Sequence, residues 1–276
     1  MSDVAALHMN FMDFPAVYAE DPHRRTTMEP EPERNLAIAS AFPRQPDPPQ
    51  QPQAGGDANA DIALVKRRLI RQSTVAIGML EAAIDALWAL DAEVAQHVRD
   101  QDNQIDAEEV AIEQACYDVQ SLAQPVARDF RVIASMLKVN HDVERVADHA
   151  CSIAKSAIRI SKLSIVPRFP MSLRDLAERV PATCHSLLRA LIDEDTEIAR
   201  EIVAGDKLLD KLDSGAFTEL TEQIAGGNQD EAAAGLLLYR AGRDLERVGD
   251  LMKNIAEDLV YLDTGKIVRH QKRKQA

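Results

Sequence analysis

An all-α fold, built as two tandem three-helix bundles behind a disordered N-terminal leader, is what this 276-residue sequence predicts. Three observations carry it. From Asp61 almost to the end, apolar residues recur at helical intervals with polar ones between them. The halves also repeat: "DAEVAQHVRDQDNQID" at 91–106 matches "DTEIAREIVAGDKLLD" at 195–210, and "DVERVADHA" at 142–150 matches "DLERVGDLM" at 244–252. Aromatic residues make up only 4% of the chain, and no alternating pattern with matching turns suggests strands.

The elements follow in order. Residues 1–60 hold nine of the thirteen prolines, several in "FPRQPDPPQQPQAGG" at 42–56. Such a segment cannot keep a helical hydrogen-bond ladder and has little to bury, so it reads as a disordered Pro/Gln-rich leader. The apolar side chains of "HMNFMDFPAVY" offer the alternative of a docking arm. Ile62, Val65, Leu69, Ala76, Leu80, Ile84 and Leu87 then form one apolar stripe, broken near Gln72 and Ser73. Helices are predicted over 61–90, 92–122 and 125–163, with Pro125 in the first turn of the third. "VPRFP" at 166–170 interrupts the chain between the first bundle (61–165) and the second (170–265). The second bundle is predicted to hold helices at 171–192, 195–225 and 229–264. "GGNQDE" at 226–231 is a turn in which Asn228 and Glu231 resemble a capping box, and Gly265 offers a helix stop before a basic tail at 266–276.

The bulk chemistry narrows the partners. A net charge of −13 argues against general nucleic-acid binding and suits cations. Cys116, Cys151 and Cys184 form no CxxC pair and read as reduced core thiols. No apolar stretch is long enough to span a membrane, and "MSDVAALHMNFMDF" lacks the marks of a signal peptide. The expectation is a cytoplasmic protein that reaches a membrane only through partners.

Each half carries two acidic pairs at i, i+4 spacing, which places both carboxylates of a pair on one helix face. They are Asp102/Asp106 with Glu144/Asp148, and Asp206/Asp210 with Glu246/Asp250. A lone DxxxD is weak, because a chain with 45 acidic residues produces roughly seven such pairs by chance. Their positions say more. Asp106 and Glu144, like Asp102 and Asp148, are equidistant from Pro125; Asp210 and Glu246, like Asp206 and Asp250, are equidistant from Asn228. Folding each half as an antiparallel hairpin at those turns sets the pairs at equal height, roughly 27–35 Å from the turn. Carboxylates meeting there repel, and a shared hard cation relieves them. The bland alternative is a set of solvated helix faces. His141, three residues before Glu144, is a further candidate ligand, though a surface role is the commoner one for such a histidine. His149 follows Asp148 and points elsewhere. Arg145 and Arg247 are expected to pair with nearby acids, and Asp142 and Asp244 either to hold ligands in place or to be solvated. There is no P-loop, no GxGxxG and no ExxH in these pairs, so no catalytic constellation emerges.

At these residues the chain resembles the PhoU family. The resemblance spans about Asp61 to His270 and rests on "QPVARDFRVI", "DVERVADHACSIA", "DLERVGDLMKNIAEDLVYLDTGKIVRH" and the two DxxxD segments. It implies two three-helix bundles with metal clusters on the acidic motifs, which fall here on Asp102, Asp106, Glu144, Asp148, Asp206, Asp210, Glu246 and Asp250. Iron, zinc, manganese and magnesium are the candidate ions. The resemblance further implies a cytoplasmic, non-catalytic regulator, often a homodimer. Such proteins act through a phosphate ABC transporter and a sensor histidine kinase, and repress the phosphate-starvation response. The leader is extra to the family pattern, and Leu251 stands where a histidine is common. A carboxylate-bridged metal-dependent phosphohydrolase is the alternative from another class.

Overall fold

The computed structural model describes residues 58–123 and 128–264. The leader up to residue 57, Pro125, Gly265 and the basic tail lie outside the described residues, and so do the expectations placed on them. The described residues contain no strand. The helices are α1 (Ala58–Ala89), α2 (Ala92–Asp100), α3 (Asp102–Ala123), α4 (Arg128–Ile160), α5 (Met171–Asp193), α6 (Thr196–Gly226) and α7 (Gln229–Thr264). The predicted rods are present, and the one expected over 92–122 is interrupted at Gln101. Gln101 keeps right-handed dihedrals (φ −80°, ψ −15°), and its N–H donates to Val98 O at 3.3 Å, a tightened turn. The same carbonyl takes the Cys151 thiol at 3.7 Å, so a neighbouring helix competes for the ladder there.

In the first half α1 packs along α4, and α2 and α3 cover both; in the second, α6 pairs with α7 while α5 lies against each. The halves join where α4 meets α7 and α1 meets α5. The apolar stripe of α1 supplies the first core: Met79, Leu80 and Ala83 are fully buried. Each large side chain so buried contributes about 1.5–3 kcal/mol. The two residues that break the stripe are buried and bonded. Gln72 Nε2 donates to Ile105 O at 3.3 Å, and Ser73 Oγ donates to Leu69 O at 2.8 Å.

The repeat is visible in the corners. Leu90 and Glu194, the residues after α1 and α5, both have φ 54°, a left-handed conformation that costs a side-chain-bearing residue about 1–2 kcal/mol. The next residue is an aspartate in each case. Asp91 N–H closes back to Ala86 O and Asp195 N–H to Ala190 O, both at 3.0 Å. Asp91 Oδ1 then accepts from Glu93 and Val94 N–H at 3.0 Å, and Asp195 Oδ1 from Glu197 and Ile198 N–H at 2.9 and 3.2 Å.

The connection between the halves is pinned by Phe169, whose ring meets Trp88 edge-on at 4.7 Å. Arg174 lies 5.5 Å from the centre of each ring. The start of α5 has no capping side chain of its own; Glu219 of α6 accepts its first N–H groups, from Met171 and Ser172, at 2.8 and 3.1 Å. Helix α5 continues through Pro181, which is buried. The capping box at the start of α7 forms as the sequence suggests: Asn228 Oδ1 accepts from Glu231 N–H at 3.0 Å, and Glu231 Oε2 accepts from Asn228 N–H at 2.7 Å.

Candidate metal centre

Helices α3 and α4 run side by side in the first half. Positions 102, 106 and 109 share one face of α3, and 141, 144 and 148 share one face of α4, because steps of three, four and seven residues return to the same side. Two bonds fix the depth of α3. Gln72 of α1 holds the Ile105 carbonyl, beside Asp106, and the buried Asn140 of α4 donates to Glu109 O at 2.9 Å. Arg68 adds a two-pronged bond to Glu108 at 2.9 and 3.1 Å.

Three of the four predicted acids of this half influence one another electrostatically, Asp106 with Asp148 and Glu144, and Asp102 acts on Asp106; the four do not form a set with ligand atoms within 4.8 Å of one another among the described residues. Burial raises the Asp106 carboxyl above its usual range, and Asp102, Asp148 and Glu109 raise it further. Glu144 is pushed up to about 7, first by burial, then by Asp148 and Glu109, with His141 opposing and Asp106 adding to the rise. Asp102 takes the Cys151 thiol proton at 3.3 Å. Burial, then Asp102, push that thiol to about 12, so it stays a donor.

Next to these acids lies a donor set the carboxylate pairs did not include. Glu109, His141 and Glu144 each offer one ligand atom, and the three atoms lie within 4.8 Å of one another. His141 Nδ1 is 3.3 Å from Glu109 Oε1 and 4.0 Å from Glu144 Oε2. Glu109 went unnoticed in the sequence, and His141 counted there as a surface residue first. The signal was present: Glu109 and His141 are equidistant from Pro125, as the other pairs are, one turn closer to the hairpin. Two carboxylates and an imidazole, with Asp106 and Asp148 alongside, suit a divalent ion of manganese, iron or zinc type. The residues present therefore fit the ion that the acidic motifs imply.

In the second half α6 and α7 pack along each other, and a Cβ on Gly249 would stand 2.8 Å from the Leu209 Cδ1 methyl. Burial raises Glu246 above its usual range; Arg243 opposes this, while Asp250, Asp213 and Asp210 raise it further. Asp210, Asp213 and Asp250 thus all act on Glu246; the Asp206 side chain lies outside the described residues. Here, however, a side-chain cation is present: Arg243 reaches Asp213 Oδ2 at 3.0 Å and Glu246 Oε2 at 3.4 Å.

His149 does point away from the acids, as the sequence suggested, into the seam between the halves. Its Nδ1 lies 3.0 Å from Asp244 Oδ1. Asp244 is thereby a buried partner of His149 and not a solvated acid. Arg145 lies 3.9 Å from Asp142, the local pairing expected for it.

Comparison with known proteins identifies the same family in both halves. The family model "PhoU domain" matches twice, at residues 69–157 and 173–259. A Pseudomonas aeruginosa protein named as a phosphate-specific transport system accessory protein PhoU homolog is 32% identical over 214 residues, covering 77% of this chain and 87% of that one. A Thermotoga maritima protein named as homolog 1 of the same accessory protein is 27% identical over 206 residues, covering 75% and 88%. The crystal structure of PhoU from Pseudomonas aeruginosa superposes with a TM-score of 0.73 at 30% identity, over 76% of this chain and all of that one. With two family domains matched over most of its helical body, this chain belongs to the PhoU family.

Proposed function

We propose that the protein is a cytoplasmic, homodimeric, metal-binding regulator of phosphate uptake. It works by contact with a phosphate ABC transporter and a sensor histidine kinase and holds down the phosphate-starvation response when phosphate is plentiful. Accessory roles in phosphate transport are what its relatives' names state, and among the described residues no helix is long and apolar enough to cross a membrane. The observation that carries the metal part is the convergence of Glu109, His141 and Glu144 beside Asp106 and Asp148.

A bound divalent ion supplies positive charge where acids from two helices would otherwise repel. The residues of this chain do the rest. Asn140 and Gln72 hold α3 in register, Glu109 and Glu144 supply one carboxylate from each helix, and His141 adds a nitrogen donor from the rim. An ion held there braces α3 against α4, and the braced helices form the rigid surface that partners read.

The test is deletion of the gene, with expression of a phosphate-repressed reporter followed at high phosphate. Derepression that the wild-type gene reverses, and that Glu144→Gln reverses weakly, is the expected result. Unchanged expression after deletion refutes the regulatory reading. Metal-dependent hydrolysis of a phosphate ester that Asp148→Ala abolishes would replace it with a phosphohydrolase.

A further inference from the structure

The two acidic clusters are matched in charge and spacing except at one place. Asp213 follows Asp210 by three residues as Glu109 follows Asp106, and Arg243 precedes Glu246 by three as His141 precedes Glu144. Asp213 and Arg243 are also equidistant from Asn228. Arg243 therefore occupies the His141 position, and its guanidinium does what an ion would do. One nitrogen bonds to Asp213 on α6 at 3.0 Å, and the other faces Glu246 on α7 at 3.4 Å, so a fixed positive charge bridges the helices. The acids it bridges are mostly covered, with 17% and 16% of their side chains exposed. In the first half the corresponding place holds an imidazole, which can give a lone pair to a metal; a guanidinium has none to give.

We infer that the PhoU-like pair of metal clusters is reduced here to one, with the second cluster closed to divalent metals by Arg243 acting as a built-in cation. This rests on the first-half metal reading for its contrast, though not for the closure itself. A divalent ion placed between Asp213 and Glu246 would have to expel a like-charged group that is hydrogen-bonded to the one carboxylate and ion-paired with the other. The protein would then brace one half with a metal that comes and goes, and the other permanently.

Full-length protein stripped by chelation is titrated with Mn²⁺ alone and with Zn²⁺ alone, and bound metal is counted by elemental analysis and calorimetry. Wild type shows one class of tight site, lost in Glu144→Gln and changed less than about twofold in Glu246→Gln. Arg243→His gives the second cluster the donors of the first and adds a second class; adding Glu246→Gln removes it. Arg243→Met, which drops the charge at similar length, serves as the second variant. Metal then raises its unfolding temperature by an increment that Glu246→Gln cancels. Wild-type metal uptake that Glu246→Gln diminishes overturns the inference. So does a folded Arg243→His protein that binds no more metal than wild type. Wild type without metal, beside an Arg243→His variant that takes it, refutes the first-half site while upholding the closure of the second.

Discussion

His149→Leu converts the seam between the halves at one point into what the repeat already has at the other. Leu251 stands at the position equivalent to His149, and Asp142 at that equivalent to Asp244. His149 and Asp244 each expose 12% of their side chains, and Asp244 Oδ2 is buried with no hydrogen-bond partner, so His149 Nδ1 is the contact that carries this carboxylate. Removing one member of a buried pair costs about 3–5 kcal/mol. Residual water access lowers that to roughly 2–3 kcal/mol here. For a helical body of this size each kcal/mol moves Tm by roughly 2–4 °C. His149→Leu should therefore melt about 4–12 °C below wild type by circular dichroism at neutral pH. Adding Asp244→Leu should recover most of the loss, since an apolar pair can replace a buried polar one at similar stability. A single variant within about 0.5 kcal/mol of wild type, or a double variant as unstable as the sum of its parts, refutes the pairing as the reason for the loss.

Three other outcomes follow from local geometry. Asn228→Ala removes the acceptor for the Asp230 and Glu231 N–H groups and should cost about 1 kcal/mol, read from urea unfolding. Gly249→Val crowds the Leu209 side chain, which must turn aside, and should cost about 1 kcal/mol; no change in the unfolding midpoint would contradict the close contact. His185 Nε2–H donates to Glu81 Oε1 at 2.8 Å, and that bond raises its pKa above the ordinary histidine value against the opposing effect of burial. A raised histidine adds stability below about pH 6.5 and loses that contribution as pH climbs through the folded value. Glu81→Gln should accordingly lower the unfolding midpoint at pH 5.5 and leave it nearly unchanged at pH 9; equal losses at both would reverse that assignment.

What the sequence made legible was whatever short-range chemistry decides. The start of α7 at Gln229 follows from a Gly-Gly-Asn turn whose cap is completed within four residues. The stripe from Val65 to Leu87 is core because its period matches one helix face. What stayed hidden depends on neighbours distant in the chain. The break at Gln101 involves the Cys151 thiol, fifty residues away, and nothing within "VRDQDNQ" marks it. The start of α5 at Met171 was legible, but the group that caps it, Glu219 from another helix, was not. The candidate site was legible in height but not in rotation. Equal distances from each turn are a matter of counting residues, whereas the facing of α3 against α4 is held by bonds such as that from the buried Asn140 to the Glu109 carbonyl. The same arithmetic would have found Glu109 with His141 and Asp213 with Arg243 had it been carried one turn further.

The matching corners at Leu90–Asp91 and Glu194–Asp195 make chain length between corner and acid a quantity that cannot drift. Each corner fixes where its rod begins, and every residue added or removed after it swings the remainder by about 100°. A single deletion between 92 and 101 would therefore aim Asp102, Asp106 and Glu109 a quarter-turn or more off their partners while leaving composition and helix content intact. A residue inserted in the connector around Val166, which is 83% exposed, would leave both rods in register, whereas one inserted within a rod would not.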